Sequence, residues 1–156
     1  MNTRTWRTWK VFAVGLASIA GVFLLLQLVP YGRTHSNPPT VAEPAWDSPR
    51  TRELAVRACF DCHSNQTRWP WYAKVAPFSW AVQFDVEVAR SVINFSEWNR
   101  RYALDGYAGR RTSSGMMPPS KYRMAHPEAK LTPAERVELA RGLEATLGGP
   151  DQEWVP

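Results

Sequence analysis

Two common signals are scarce in this 156-residue sequence: alternation of apolar and polar residues, and an excess of charge of one sign. Without alternation or an internal repeat, the sequence predicts neither a half-buried sheet nor a repeat array. Three of the 19 basic residues precede the first apolar segment and all 14 acidic residues follow it, which leaves a net charge of +2 on the remainder. So small a charge does not indicate a nucleic-acid partner.

Cysteine is also rare. Both cysteines, Cys59 and Cys62, lie in one motif, CFDCH, which ends at His63. CxxCH is the pattern at which haem is attached covalently in c-type cytochromes. Two thiols form thioether bonds with the vinyl groups of one porphyrin, and the adjoining imidazole can bind the iron from one face. The motif therefore predicts one covalently attached haem c.

Two other readings of the cysteine pair are less well supported. A redox-active dithiol would need a thioredoxin-like βαβ context, which the flanking sequence lacks. A zinc site would need a fourth ligand, for which only His35, His126 or a carboxylate remain, without a second CxxC or an HxxxH pattern.

The run 11–29 contains no charged residue. As a helix it would span about 29 Å, close to the hydrocarbon thickness of a bilayer. Basic residues within 1–10 and interfacial aromatic residues indicate a transmembrane anchor with a cytoplasmic N-terminus; the aromatic residues are Trp6, Trp9 and Tyr31. A cleaved signal peptide is the alternative, but its apolar core is usually shorter. We expect a single-pass protein of the bacterial inner membrane whose haem domain faces the periplasm.

The domain organisation follows from this anchor. Residues 1–10 are predicted to be cytoplasmic, 11–29 transmembrane, 30–47 a proline-rich linker, 48–148 the haem-binding domain and 149–156 a tail. Four prolines in the linker favour an extended chain without a fold of its own. His35 lies in this linker, where we expect a solvated side chain.

Three helices are predicted within the haem-binding domain. They run from Ser48 to Cys59, from Pro77 to about Asn94, and from Thr132 to Gly148, the last opened by the capping box TPAE. Their apolar stripes consist of Leu54, Ala55 and Ala58; of Phe78, Val82, Val86, Ala89 and Ile93; and of Val137, Ala140, Leu143 and Leu147. The first helix would deliver the CxxCH motif.

A second iron ligand is predicted between the second and third helices. In GMMPP, Met117 is followed directly by Pro118, an arrangement that can present a thioether to the open face of a haem. Met116 and His126 compete with Met117 for this role, and a methionine can also fill a core gap.

At this point the sequence resembles a known family. The strings CFDCHSNQTRWPWYAKVAPFSW, NFSEW and MPPSKYRMAHPEAKLTPAER are similar to the bacterial haem-binding domain family of small monohaem c-type cytochromes. The resemblance covers roughly residues 45–147. It implies a cytochrome c-like helical fold with thioethers at Cys59 and Cys62, His63 as proximal ligand and Met117 as distal ligand. The long basic segment 100–114 departs from the family pattern.

Roles can be proposed for the aromatic and basic residues near the motif. Trp69, Trp71 and Tyr72 can wall the ring or reach a propionate, although packing alone would explain them as well. Arg68 and Lys74 can pair with propionates, whereas exposed surface charge is their more common fate. A basic docking patch is a further hypothesis, formed by Arg100, Arg101, Arg110 and Arg111.

Taken together, these features predict an all-α protein: a cytochrome c-like helical domain around one covalent haem, preceded by a single N-terminal transmembrane helix. The expected function is one-electron transfer with a redox protein partner, because no acid/base pair, nucleophile or site for a small-molecule substrate is evident. A peroxidase-like haem enzyme and a haem-based gas or redox sensor are the alternatives.

Overall fold

The computed structural model describes residues 3–100, 102 and 105–148, and within them it contains helices and no strand. The predicted all-α fold is confirmed. The predicted tail, 149–156, and Arg101 of the basic segment lie outside the described residues. The helices are α1 (Thr3–Leu26), α2 (Pro49–Ala58), α3 (Phe60–His63), α4 (Phe78–Val92), α5 (Ala108–Ser113), α6 (Ser120–Ala125) and α7 (Pro133–Leu147). Short 3-10 turns lie at Trp71–Lys74, Asp105–Tyr107 and Pro127–Ala129.

Helix α1 contains one stretch, Trp6–Leu26, that is long and apolar enough to cross a membrane. None of this stretch is buried against the rest of the chain. A membrane anchor and a signal sequence share these properties of length and composition. The helix ends at Leu26, three residues before the end of the apolar run, and the next residue, Gln27, turns its amide towards main-chain groups.

The chain forms two compact units, Met1–His35 with Pro70–Phe84, and Ser36–Trp69 with Asp85–Pro156. In the first unit, the Gln27 amide nitrogen donates to the Ala76 carbonyl at 2.9 Å, and the Ala76 N–H donates to the Gln27 amide oxygen at 3.0 Å. Gly32, at φ +70°, lies so close to the Ser79 carbonyl that a Cβ would clash. The residues that follow α1 are therefore part of a fold.

The prediction that His35 is solvated is wrong. Its Nε2 lies 2.9 Å from the Ala73 carbonyl oxygen, and its Nδ1 lies 3.4 Å from Oε1 of Gln83. The side chain is half-buried in the first unit. These partners are 38 and 48 residues away in the chain, so local sequence gave no sign of them.

The second unit has an apolar core to which α2, α3 and α7 contribute. Leu54, Leu139 and Leu143 are almost completely buried. An aromatic cluster lies beside them, with the Phe95 ring 5.6 Å from Phe60 and 5.3 Å from Trp46 between centroids. The predicted caps of α2 and α7 are present: the Ser48 side chain accepts from Thr51 N–H, and Thr132 and Glu135 form the capping box. These short-range capping interactions determine where α2 and α7 begin, and both helices contribute to the core.

The linker contains no helix, but its second half is bound along the second unit. Val41 N–H donates to the Ser96 carbonyl at 2.8 Å, and Trp98 N–H donates to the Ala42 carbonyl at 2.9 Å. The Asn37 amide donates to the Thr67 carbonyl at 2.8 Å. Together with Trp46 in the aromatic cluster, these contacts order the chain before α2 begins.

Two positions in the predicted apolar stripes are exposed. Phe78 is 62% exposed at the start of α4, whose buried apolar positions begin two turns later at Val86. Val137 is 46% exposed in α7, because the buried face of that helix is centred on Leu139 and Leu143. Val137 precedes Leu139 by two residues, which places it about 200° away around the helix.

Candidate functional site

The CxxCH motif lies on a single turn of chain at the end of α2. Cys59 closes α2, and the four residues of α3 follow directly. The Cys59 carbonyl accepts from Cys62 N–H at 3.2 Å and from His63 N–H at 2.9 Å. Both cysteines are free and half-buried. Two thiols and one imidazole are therefore held together by local helical hydrogen bonds.

Both thiols are held in their protonated form at neutral pH in this fold. Burial, with a smaller contribution from Cys62, raises the pKa of Cys59 to about 12. Burial, together with the charges of Asp61 and Asp85, raises the pKa of Cys62 to about 11. Disulfide oxidoreductases shift a cysteine pKa in the opposite direction. The redox-active dithiol is therefore disfavoured.

The His63 imidazole is held by its Nδ1 atom, which lies 3.1 Å from the Ala89 carbonyl oxygen and 3.2 Å from that of Ile93. Two carbonyl acceptors require Nδ1 to carry the proton. Nε2 then has its lone pair available, and within the described residues it has no hydrogen-bond partner. Burial lowers the pKa of His63, which favours the neutral ring that binds metals.

The main chain around His63 is bound to residues 94–96. The His63 carbonyl accepts from Phe95 N–H at 2.8 Å, and Asn65 N–H donates to Oγ of Ser96 at 2.9 Å. The Asn94 side chain donates to Oδ1 of Asn65 at 2.9 Å and accepts from Ser96 N–H at 3.0 Å. All of these polar side chains are buried. The network fixes the chain directly behind the imidazole.

Further bonds complete this network. The Asn65 amide nitrogen also donates to the Pro39 carbonyl at 3.2 Å and to Oε1 of Glu97 at 3.1 Å. Oγ of Ser64 donates to the Phe60 carbonyl at 2.7 Å and accepts from Gln66 N–H at 2.9 Å. The strings CHSN and NFSEW belong to the family resemblance, but the sequence alone predicts no role for their polar residues. The sequence feature that could have pointed to them is a pair of short stretches rich in polar residues, 64–66 and 94–96, which are 30 residues apart.

Asp61, within the motif, is the centre of a second polar cluster that sequence reasoning missed. Its Oδ1 accepts from the main-chain N–H and Nε of Arg68, at 3.0 and 3.1 Å. Its Oδ2 accepts from Nη2 of Arg68 at 2.9 Å and from the Tyr122 hydroxyl at 2.6 Å. Burial alone would raise the pKa of Asp61, but these hydrogen bonds outweigh it and lower that pKa. In this structure Arg68 therefore pairs with the Asp61 carboxylate, whereas the sequence suggested a haem propionate as its partner.

Met117 lies in the loop between α5 and α6, and its side chain is half-buried. Its N–H donates to the Arg111 carbonyl at 3.0 Å. Gly115 opens this loop at φ +79°, a conformation that favours glycine. Met116 is 57% exposed. The role of Met117 as an iron ligand stays a prediction.

His126 closes α6 and stacks on Tyr122, with ring centroids 4.2 Å apart and planes 16° apart. Its Nδ1 lies 3.4 Å from Oε1 of Glu128. Both contacts are within its own segment of chain. They give this residue a role in local packing, and its role as alternative iron ligand stays a prediction.

The three predicted wall residues lie in different environments. Trp69, in the second unit, donates its indole N–H to Oδ1 of Asn37 at 3.1 Å. Trp71 and Tyr72, in the first unit, form an edge-to-face pair, and Trp71 is 80% exposed. Contact of these rings with a cofactor stays a prediction. Lys74 is exposed at the end of the 3-10 turn that contains them.

The members of the proposed basic patch also differ. Arg100 is paired with Glu97 at 2.8 Å and donates to the Tyr102 hydroxyl at 2.9 Å. Arg110 lies over the Tyr107 ring, 5.1 Å from its centroid. Arg111, on α5, is half-buried. A role in docking stays a prediction for all of them.

A family model for a haem-binding domain matches residues 21–145. The chain belongs to this haem-binding domain family. The resemblance drawn from residues 45–147 is thereby confirmed, and the match reaches into the second half of α1. No curated protein and no solved structure matches the chain.

The residues of the motif fit the haem that the family implies. Two free thiols with CxxC spacing are consistent with covalent attachment, and His63 offers a neutral nitrogen with no competing partner. By contrast, the described residues contain no group of three His, Cys, Asp or Glu side chains that could hold a metal ion.

Proposed function

We propose that the protein is a membrane-anchored monohaem c-type cytochrome that transfers one electron at a time. The observation that carries this proposal is the turn with Cys59, Cys62 and His63, in which both thiols are free and Nε2 of His63 lacks a competing partner. Each thiol would add across one vinyl double bond, forming a carbon–sulfur bond while the thiol hydrogen passes to the porphyrin side chain. When bound, haem supplies a reversible one-electron couple of its iron.

The attachment is tested by extraction with acidified organic solvent. Haem should remain with the denatured full-length polypeptide, whereas the variant with both Cys59→Ser and Cys62→Ser should release it. A Met116→Leu variant, altered outside the motif, should retain its haem and serves as control. Free haem extracted from the wild-type chain would contradict covalent attachment.

For the sixth iron position we propose Met117. Met117→Ala should abolish the weak charge-transfer band near the red end of the ferric absorption spectrum, because that band requires a thioether ligand. Met116→Leu and His126→Ala should preserve it. If only His126→Ala empties the site, iron is ligated by two histidines and the reduction potential lies in a lower range.

We further propose that α1 is retained as an anchor in the bacterial inner membrane, with the haem domain on the periplasmic side. Support comes from the paired Gln27–Ala76 hydrogen bonds and from Gly32 against Ser79, because they make the end of α1 part of the folded chain. The mature protein should fractionate with membranes at high salt and keep its N-terminal residues. A mature N-terminus beyond Val29 would show that α1 is a signal peptide.

Electron transfer with a redox protein partner is the proposed use of this haem. A carrier needs a saturated iron and no substrate pocket, so the purified full-length protein should ignore carbon monoxide and peroxide while cycling between two oxidation states. Rapid binding of carbon monoxide, or turnover of peroxide, would instead favour a sensor or a peroxidase-like enzyme.

A further inference from the structure

Helix α6 follows Met117 by three residues and has unusually little to hold it in place. It has six residues, and none of them is buried. A helix this short is not stable by itself in water. Its position must therefore come from contacts with the rest of the chain.

Lys121, Glu128 and Tyr122 each make a polar contact to chain outside residues 106–131. Lys121 pairs with Asp85 at 2.7 Å, but both side chains are largely exposed. Glu128 lies 3.6 Å from Arg68, again with exposed side chains. Exposed pairs of this kind contribute little. The third contact is the 2.6 Å hydrogen bond from the Tyr122 hydroxyl to Asp61, whose side chain is only 7% exposed.

The third contact differs from the others in strength and in place. A hydrogen bond to a buried carboxylate is stronger than one between neutral groups. Asp61 lies between the two cysteines, so the bond joins α6 directly to the CxxCH turn. Upstream, Met117 is bound to the Arg111 carbonyl. The loop with Met117 is thus held at one end by α5 and at the other by Tyr122.

We infer that Tyr122 is a positioning residue, whose hydrogen bond to Asp61 holds the loop containing Met117 against the haem-attachment turn. This inference rests on the proposed ligand Met117. The Arg68 guanidinium balances the charge of Asp61 and fixes both carboxylate oxygens, so that Oδ2 stays aimed at the hydroxyl. Thereby a single hydroxyl group on α6 governs how firmly the thioether is presented to the iron.

The test compares Tyr122→Phe with Tyr107→Phe in the full-length, haem-loaded protein. Tyr107 is an exposed tyrosine of the same region, and among the described residues its hydroxyl has no hydrogen-bond partner, so its loss should change nothing. Tyr122→Phe should keep the covalent haem, weaken or abolish the thioether band, and lower the reduction potential. Backbone amides of residues 116–125 should exchange hydrogen about tenfold faster or more, the effect of losing one hydrogen bond to a charged group.

The two readouts separate this inference from the proposed ligand. If the wild-type protein lacks the thioether band, Met117 is not the ligand, and hydrogen exchange alone decides whether Tyr122 positions the loop. An unchanged exchange rate in Tyr122→Phe overturns the positioning role. Faster exchange with an unaltered band and potential also overturns it, because the hydrogen bond would then stabilise α6 without controlling the ligand.

Discussion

The chain segments that contain His63 and Met117, the two proposed iron ligands, are held by very different means. Residues 63–65 are bound by a buried network that reaches residues 39 and 94–97. Residues 115–126 form a loop and the six-residue helix α6, from which the Tyr122 hydroxyl donates to the largely buried Asp61 carboxylate. The difference indicates that residues 63–65 are held more firmly than residues 115–126. Substitutions should therefore lower the free energy of unfolding much more in the first segment than in the second.

The largest loss is expected for Asn65→Ala. Asn65 is 3% exposed, and its side chain bonds to Pro39, Glu97 and Asn94. Its removal takes the acceptor from the buried Asn94 amide and the donor from the Pro39 carbonyl and Glu97, which together should lower the free energy of unfolding by about 3 kcal/mol. Denaturant unfolding followed by haem absorbance measures this loss. Gln66→Ala, at the adjacent exposed position, is the control and should cost far less.

A smaller loss is expected for Ser64→Ala. Oγ of this fully buried serine bridges the Phe60 carbonyl and Gln66 N–H, so both would lose a partner. We expect a loss of about 1–3 kcal/mol in the same unfolding experiment. Ser113→Ala, at an exposed position of α5, should be nearly neutral. Equal effects of the two serine variants would contradict a stabilising role of the buried network around residues 63–65.

The stabilisation that Glu135 provides should be lost only at acid pH. Its hydrogen bonds with the Thr132 N–H and with Arg57 lower its pKa from the ordinary 4.5 to about 2. The stabilisation is present in full above pH 4.5, and it is lost progressively as the pH falls towards 2. Glu135→Gln should flatten the pH dependence of the unfolding midpoint across this window. Glu138→Gln, one turn further along, should leave that dependence in place.

The smallest effect is expected for Lys121→Ala. The pair with Asp85 is exposed, so its removal should change the free energy of unfolding by about 0.5 kcal/mol or less. The thioether band should also be unchanged. A loss as large as that of Ser64→Ala would show that α6 is held by more than the Tyr122 hydroxyl.

Local signals in the sequence were sufficient for part of this structure. The caps at Ser48 and Thr132 act over three residues, so they can be recognised without knowing the fold. The CxxCH motif is equally local, because its spacing is that of the porphyrin vinyl groups. For this reason the helix before the motif and the terminal helix were predicted with nearly correct ends.

Contacts between distant segments could not be predicted from such local signals. Asn65 and Asn94 are 29 residues apart, and Asp61 and Tyr122 are 61 apart, yet each pair shares a hydrogen bond. Periodicity describes one face of one helix, and it cannot state which polar side chains meet across the fold. Helices α5 and α6 were missed because they are too short to show a period and are flanked by glycine and proline.

The carbonyls that hold His63 belong to the carboxyl end of α4, where the last turn of a helix carries partial negative charge. Because these carbonyls accept a hydrogen bond from Nδ1–H, they make the other ring nitrogen a stronger electron donor. An iron bound there is easier to oxidise, whereas a thioether on the opposite side favours the reduced metal. The protein would thus set its redox potential by opposing two influences, one built into a rigid helix end and the other into a segment that a single hydroxyl group can release.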